Sequence, residues 1–139
     1  MKEAGSFTGT LKYISSAAEK EQKRPENKQF HLYNYLEFVG QEGESIRVEM
    51  VKIPLELKGH IDVDSGVKTY VLAKVMDKKC IIGIRKGNDE YTLLDTLPTK
   101  IGVFGKIAMS LMGGQVKDAK AILKKNGFRT ERKQADVVL

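Results

Sequence analysis

The chain has 139 residues, enough for one ordinary domain and too few for a second independent core, and its 41% hydrophobic and 30% charged content is that of a folded domain rather than a disordered one. Residues 1–99 hold 15 Lys/Arg against 15 Asp/Glu, while residues 100–139 hold nine cations (Lys100, Lys106, Lys117, Lys120, Lys124, Lys125, Arg129, Arg132, Lys133) against three anions (Asp118, Glu131, Asp136), so the net charge of +6 lies wholly in a basic tail. A field of one sign on part of a small protein makes a polyanion or an anionic surface the first partner class to consider.

The N-terminal Met1–Ser6 lacks the apolar run of a signal peptide, and no stretch approaches the ~18–20 apolar residues of a membrane span. With the single unpaired cysteine, Cys80, this predicts a cytoplasmic protein. Phe7–Ile14 reads as a first strand, with Gly9 as the place for a bulge. Ser15–Lys28 is rich in charge and is broken by Pro25, which predicts a solvated excursion carrying Lys20, Lys23, Arg24 and Lys28.

Gln29–Val39 gives the clearest alternation in the chain. Phe30, Leu32, Leu36 and Phe38 fall on one face and His31, Tyr33, Tyr35 and Glu37 on the other, with Asn34 interrupting the apolar side. Gly40–Gly43 supplies turn chemistry, and Ser45–Ile53 alternates again, so the two strands predict a hairpin. Pro54 ends that strand, and the connector to Gly66 has room for one short helical turn. Val67–Met76, Cys80–Arg85 and Glu90–Leu94 are further strands joined by the turns Asp77-Lys78-Lys79 and Lys86-Gly87-Asn88-Asp89.

Beyond residue 100 the period changes. Ile101, Phe104, Ile107, Ala108, Leu111 and Met112 follow helical spacing, as do Val116, Ala119, Ile122 and Leu123 after Gly113-Gly114. The second helix should end at Lys124-Lys125-Asn126-Gly127, where cations meet the negative terminus and Gly127 takes a left-handed conformation. The expectation is a mainly β (α+β) chain. Residues 1–99 form a body that fits the outline of an OB-fold barrel or a curved antiparallel sheet, and residues 100–139 add a basic extension with two short helices packed on or beside it.

Three flat side chains on the polar face of one strand, His31, Tyr33 and Tyr35, predict a platform for stacking unpaired bases. Arg47, Lys23, Arg24 and Lys28 are placed near enough for phosphate contacts, and Lys124, Lys125, Arg129 and Arg132 supply the tail electrostatics. Tyrosines are also good strand formers, and the C-terminal helices offer a cover for the same face. Cys80 lies in the apolar run Cys80–Ile84 with no companion base, and neither His31 nor His60 has a neighbouring acid in a catalytic arrangement.

Asp62-Val63-Asp64-Ser65-Gly66 lacks the remaining ligands of a calcium loop, and the glycines near Lys86 and Lys106 do not complete a phosphate-cradling loop. These readings favour a non-enzymatic module for single-stranded DNA or RNA, with no cofactor and no metal. The competing expectation is an adaptor or small inhibitor that docks a protein or an anionic membrane through the amphipathic residues 101–123.

Overall fold

The computed structural model describes residues 5–18, 23, 30–55, 57–75, 78–93 and 119–128. Six strands follow the predicted runs closely: β1 (Gly5–Ile14), β2 (Phe30–Gly40), β3 (Ser45–Pro54), β4 (Lys68–Val75), β5 (Lys78–Lys86) and β6 (Asp89–Thr92). The connector after Pro54 holds a single 3-10 turn, Lys58–His60. Among the described residues there is one helix, α1, over residues 119–125. The helix expected over 101–112 lies outside the described residues.

The strands are hydrogen-bonded in the order β3-β2-β1-β4-β5-β6, and a parallel pairing of β3 with β5 closes the first five into a barrel. This mainly β, closed five-strand arrangement is consistent with a small OB-like barrel. β2 and β3 hold one register from Phe30↔Pro54 to Val39↔Ser45, and the turn between them is closed by a Gly40 N–H bond to the Glu44 carbonyl with Gly43 at positive φ.

Two apolar clusters result from the two sides of the sheet. The barrel interior is filled by Leu11, Tyr33, Leu36, Phe38, Val48 and Val51 with their neighbours. Half-buried Phe7 packs against it and forms an aromatic triad with the buried Phe38 and Tyr70, with centroid separations of 4.7, 4.8 and 5.5 Å. Such contacts add about 0.5–1.5 kcal/mol per pair beyond the buried area. On the outside, Val71, Ala73, Cys80 and Ile82 are covered by Leu93 and by Ala119, Leu123 and Phe128.

α1 ends as expected at Gly127, whose φ is 78°, with Phe128 N–H bonded to the Leu123 carbonyl and Gly127 N–H to the Lys124 carbonyl. That capping pattern brings Phe128 back over Leu123. Both side chains then press on Gly83, where an added Cβ would meet Leu123 Cδ2 at 2.8 Å and Phe128 Cε2 at 3.1 Å. Gly83 is exposed to this contact because the β4–β5 register slips between Val71 and Leu72, turning both Ile82 and Gly83 toward α1. Arg85 completes the seat by stacking on Phe128 at 4.6 Å.

Two sequence expectations about faces do not hold. The bulge on β1 falls between Leu11 and Tyr13, not at Gly9; Gly9 instead lies against the Val39 backbone, where any side chain would collide. The single alternation expected along β2 is also broken. Tyr33 shares the interior with Leu36 and Phe38, while Phe30 belongs to the outer cluster. The parity changes where Met50, opposite Asn34, takes a left-handed φ of 48°; the β2–β3 register is the same on either side, so β2 turns a corner there and its two halves present opposite parities to the core.

Candidate nucleic-acid interface

The corner at Asn34 divides the predicted platform. Tyr33 is 8% exposed and packs in the barrel interior, and His31 stacks beside it with ring centroids 6.4 Å apart. Partial burial and the Lys58 ammonium hold the His31 imidazole below its ordinary pKa. Tyr35 lies beyond the corner and belongs to a different surface. His31, Tyr33 and Tyr35 therefore do not form one exposed row.

A different aromatic pair forms on the outer side of β1, β2 and β3. Tyr13, 49% exposed, stacks on Tyr35 with centroids 5.7 Å apart and an interplanar angle of 26°. The Arg47 guanidinium lies over the Tyr35 ring at 3.8 Å. The same guanidinium reaches Glu37 Oε1 through Nη1 and Glu49 Oε1 through Nε, both at 3.3 Å. Shielding from solvent and the adjacent Tyr13 hydroxyl raise the Tyr35 phenol above its ordinary pKa, so it stays neutral at physiological pH.

Each side chain is placed by the pairing. Tyr13 is paired with Glu37, and Glu37 with Arg47, so the three form one row across the sheet, while Tyr35 pairs with Glu49 in the next. Tyr13 was missed in the sequence because simple alternation from Phe7 through Leu11 assigns it to the interior. The bulge at Lys12 reverses that assignment, and Lys12 itself turns to Asp64, with its Nζ 2.7 Å from Oδ1. The only signal was chemical: a phenol hydroxyl at Tyr13 in a row whose other side chains, Phe7 and Leu11, carry no polar atom.

Of the cations expected to meet phosphate, Arg47 is on this surface and Lys23 is exposed in a turn. Lys124 and Lys125 are exposed on α1, which covers the β4–β5 side of the barrel. Arg24, Lys28, Arg129 and Arg132 lie outside the described residues. The surface around Tyr35 is thus aromatic and of mixed charge, with one arginine held between two carboxylates.

Cys80 is fully buried, and burial pushes its thiol up to about 12. Among the described residues no three His, Cys, Asp or Glu side chains are grouped to hold a metal ion. No described helix is long and apolar enough to cross a membrane. Comparison of the chain with protein-family models, with curated proteins and with solved structures finds no match.

Proposed function

We propose that the protein is a non-enzymatic module that binds single-stranded DNA or RNA by stacking unpaired bases on Tyr13 and Tyr35. The observation that carries the reading is the near-parallel pair of exposed Tyr13 and half-buried Tyr35, with Arg47 over the Tyr35 ring, on the outer side of β1–β3. Aromatic rings on a rigid sheet stack any base without regard to sequence, and the outer β2–β3 surface is where OB-like barrels take oligonucleotides. The barrel outline contributes analogy only; Tyr13, Tyr35 and Arg47 contribute the chemistry.

Glu37 and Glu49 already balance Arg47, so stacking supplies the affinity at this surface and the backbone electrostatics come from the basic tail and the Ser15–Lys28 excursion. Docking through residues 101–123 is less well supported over its described part, because Ala119 and Leu123 are buried against the barrel. We place the module in the cytoplasm, where the lone Cys80 thiol stays reduced.

Titration of a fluorescent oligonucleotide tests this. Tyr13→Ala and Tyr35→Ala should each weaken binding about tenfold or more, while Tyr33→Phe should leave it unchanged. Neutralising Lys124, Lys125, Arg129 and Arg132 should flatten the log–log salt slope by up to ~2.8 units, at ~0.7 per phosphate contact, whereas Arg47→Gln should leave the slope intact. Absence of binding at low salt, or indifference to both tyrosine changes, would overturn the reading.

A further inference from the structure

β3 is an end strand of the hydrogen-bonded order, and its parallel pairing with β5 involves only Val51 and Lys52. Among the described residues, Ser45–Met50 is therefore paired on one side only, with β2. A row of unsatisfied backbone groups on such an edge is a template for another strand. The side chains along it are informative. Arg47 and Glu49 stand exposed, and between them Val48 faces the core; Ile46 packs half-buried against that core, and Met50 is half-buried.

We infer that this edge is a homodimer interface in which β3 of a second copy adds antiparallel to β3 about a twofold axis at Val48. In that register residues i and 96 − i face each other, an arithmetic that sets Arg47 opposite the partner's Glu49 and Glu49 opposite the partner's Arg47. On the other side Ile46 meets the partner's Met50, and the two Val48 side chains meet at the axis. Both apolar positions left half-covered in one chain gain a neighbour.

The alternation also rejects the competing registers. Moving the axis by one residue toward the N-terminus sets Arg47 against Arg47, and one residue the other way sets Glu49 against Glu49. Parallel addition aligns like charges throughout. Arg47 has the means to bridge: its Nε and Nη1 hold Glu49 and Glu37 of its own chain, and its Nη2 carries two further N–H donors. The left-handed Met50 ends the straight part of the edge and limits the pairing to its N-terminal half. Dimerisation of this kind shares Arg47 with the tyrosine surface but needs no nucleic acid, and it joins the two tyrosine pairs on one continuous sheet.

Sedimentation of the full chain without nucleic acid, over a series reaching about 1 mM, tests it. The wild type should form dimers, and Arg47→Glu and Glu49→Arg should each weaken them about tenfold or more, because two attractive pairs become two repulsive ones. An equimolar mixture of the two variants should recover a heterodimer, since each doubly acidic edge then meets a doubly basic one. Should either variant fail to fold, the wild-type dimer must still weaken as salt is raised. A monomer at every concentration, single variants that dimerise like the wild type, a mixture that stays monomeric, or a dimer indifferent to salt would overturn the inference.

Discussion

Replacing Gly83 by alanine sets two opposing effects against each other, and the geometry decides the sign. Gly83 does not lie in the left-handed region, so a methyl group there should stabilise by about 0.4–1 kcal/mol through the unfolded chain if space were open. Space is not open: the new Cβ would stand 2.8 Å from Leu123 Cδ2 and 3.1 and 3.3 Å from two Phe128 ring carbons. Overpacking of that kind costs about 1–3 kcal/mol, which leaves a net loss of roughly 1–2 kcal/mol.

Leu123→Ala alone removes a fully buried side chain and should cost about 2–5 kcal/mol. In the double variant the methyl at position 83 occupies part of the space that Leu123 vacates, and only the Phe128 contacts remain tight. The combined loss should therefore fall short of the sum by about 1 kcal/mol or more. Urea unfolding followed by circular dichroism and by tyrosine fluorescence, in a chain with five tyrosines and no tryptophan, reads all four corners of the cycle. A Gly83→Ala protein as stable as the wild type, or losses that add within about 0.3–0.5 kcal/mol, would refute the seating of α1 on Gly83.

Cys80 should react with a thiol reagent slowly in the native protein and rapidly in denaturant, since burial both hides the sulfur and disfavours the thiolate; fast native modification would contradict its placement. The Tyr70 phenol is pushed up to about 12 by burial, and its hydroxyl has no hydrogen-bond partner among the described residues. A folded value above the unfolded one means a contribution fully present below pH ~10 and lost as pH climbs toward ~12. Tyr70→Phe should thus be neutral or stabilising by up to about 1 kcal/mol and should resist alkaline unfolding, and a loss of thermal midpoint at neutral pH would count against it. His31 titrates below its ordinary value, so its contribution is present above pH ~6.5 and is lost as pH falls through the folded value. His31→Gln should flatten the acid limb of a stability profile, and superimposable profiles would dismiss the effect.

The strands were legible because period-two alternation reports which residues share a face wherever the chain is straight, as along Leu36–Phe38 and Ile46–Val48. The end of α1 was legible for a local reason too: Lys124, Lys125 and Gly127 carry the capping chemistry in four consecutive residues. What alternation cannot report is a change of parity. The bulge at Lys12 and the corner opposite Met50 each insert a half-turn that no local residue type announces, and between them they moved Tyr13 out to the surface and Tyr33 into the core. The row read along β2 is therefore split: Tyr33 lies inside the barrel, while Tyr35 and Arg47 share a surface whose neighbouring ring, Tyr13, comes from another strand.

Among the described residues the barrel is shut by two residue pairs, Val51 with Lys79 and Lys52 with Cys80, which form its one parallel contact. Everything else in the wall is antiparallel, and the β2–β3 and β4–β5 hairpins are complete without that seam. Hairpins of this kind assemble in about 1–10 μs, whereas a pairing between distant segments must first meet the entropy of closing the chain between them. By that argument the two closures between distant segments, β1 with β4 and β3 with β5, follow the hairpins, and the two-pair seam, held by fewer pairs than the five that join β1 to β4, is the line along which the cylinder should split first.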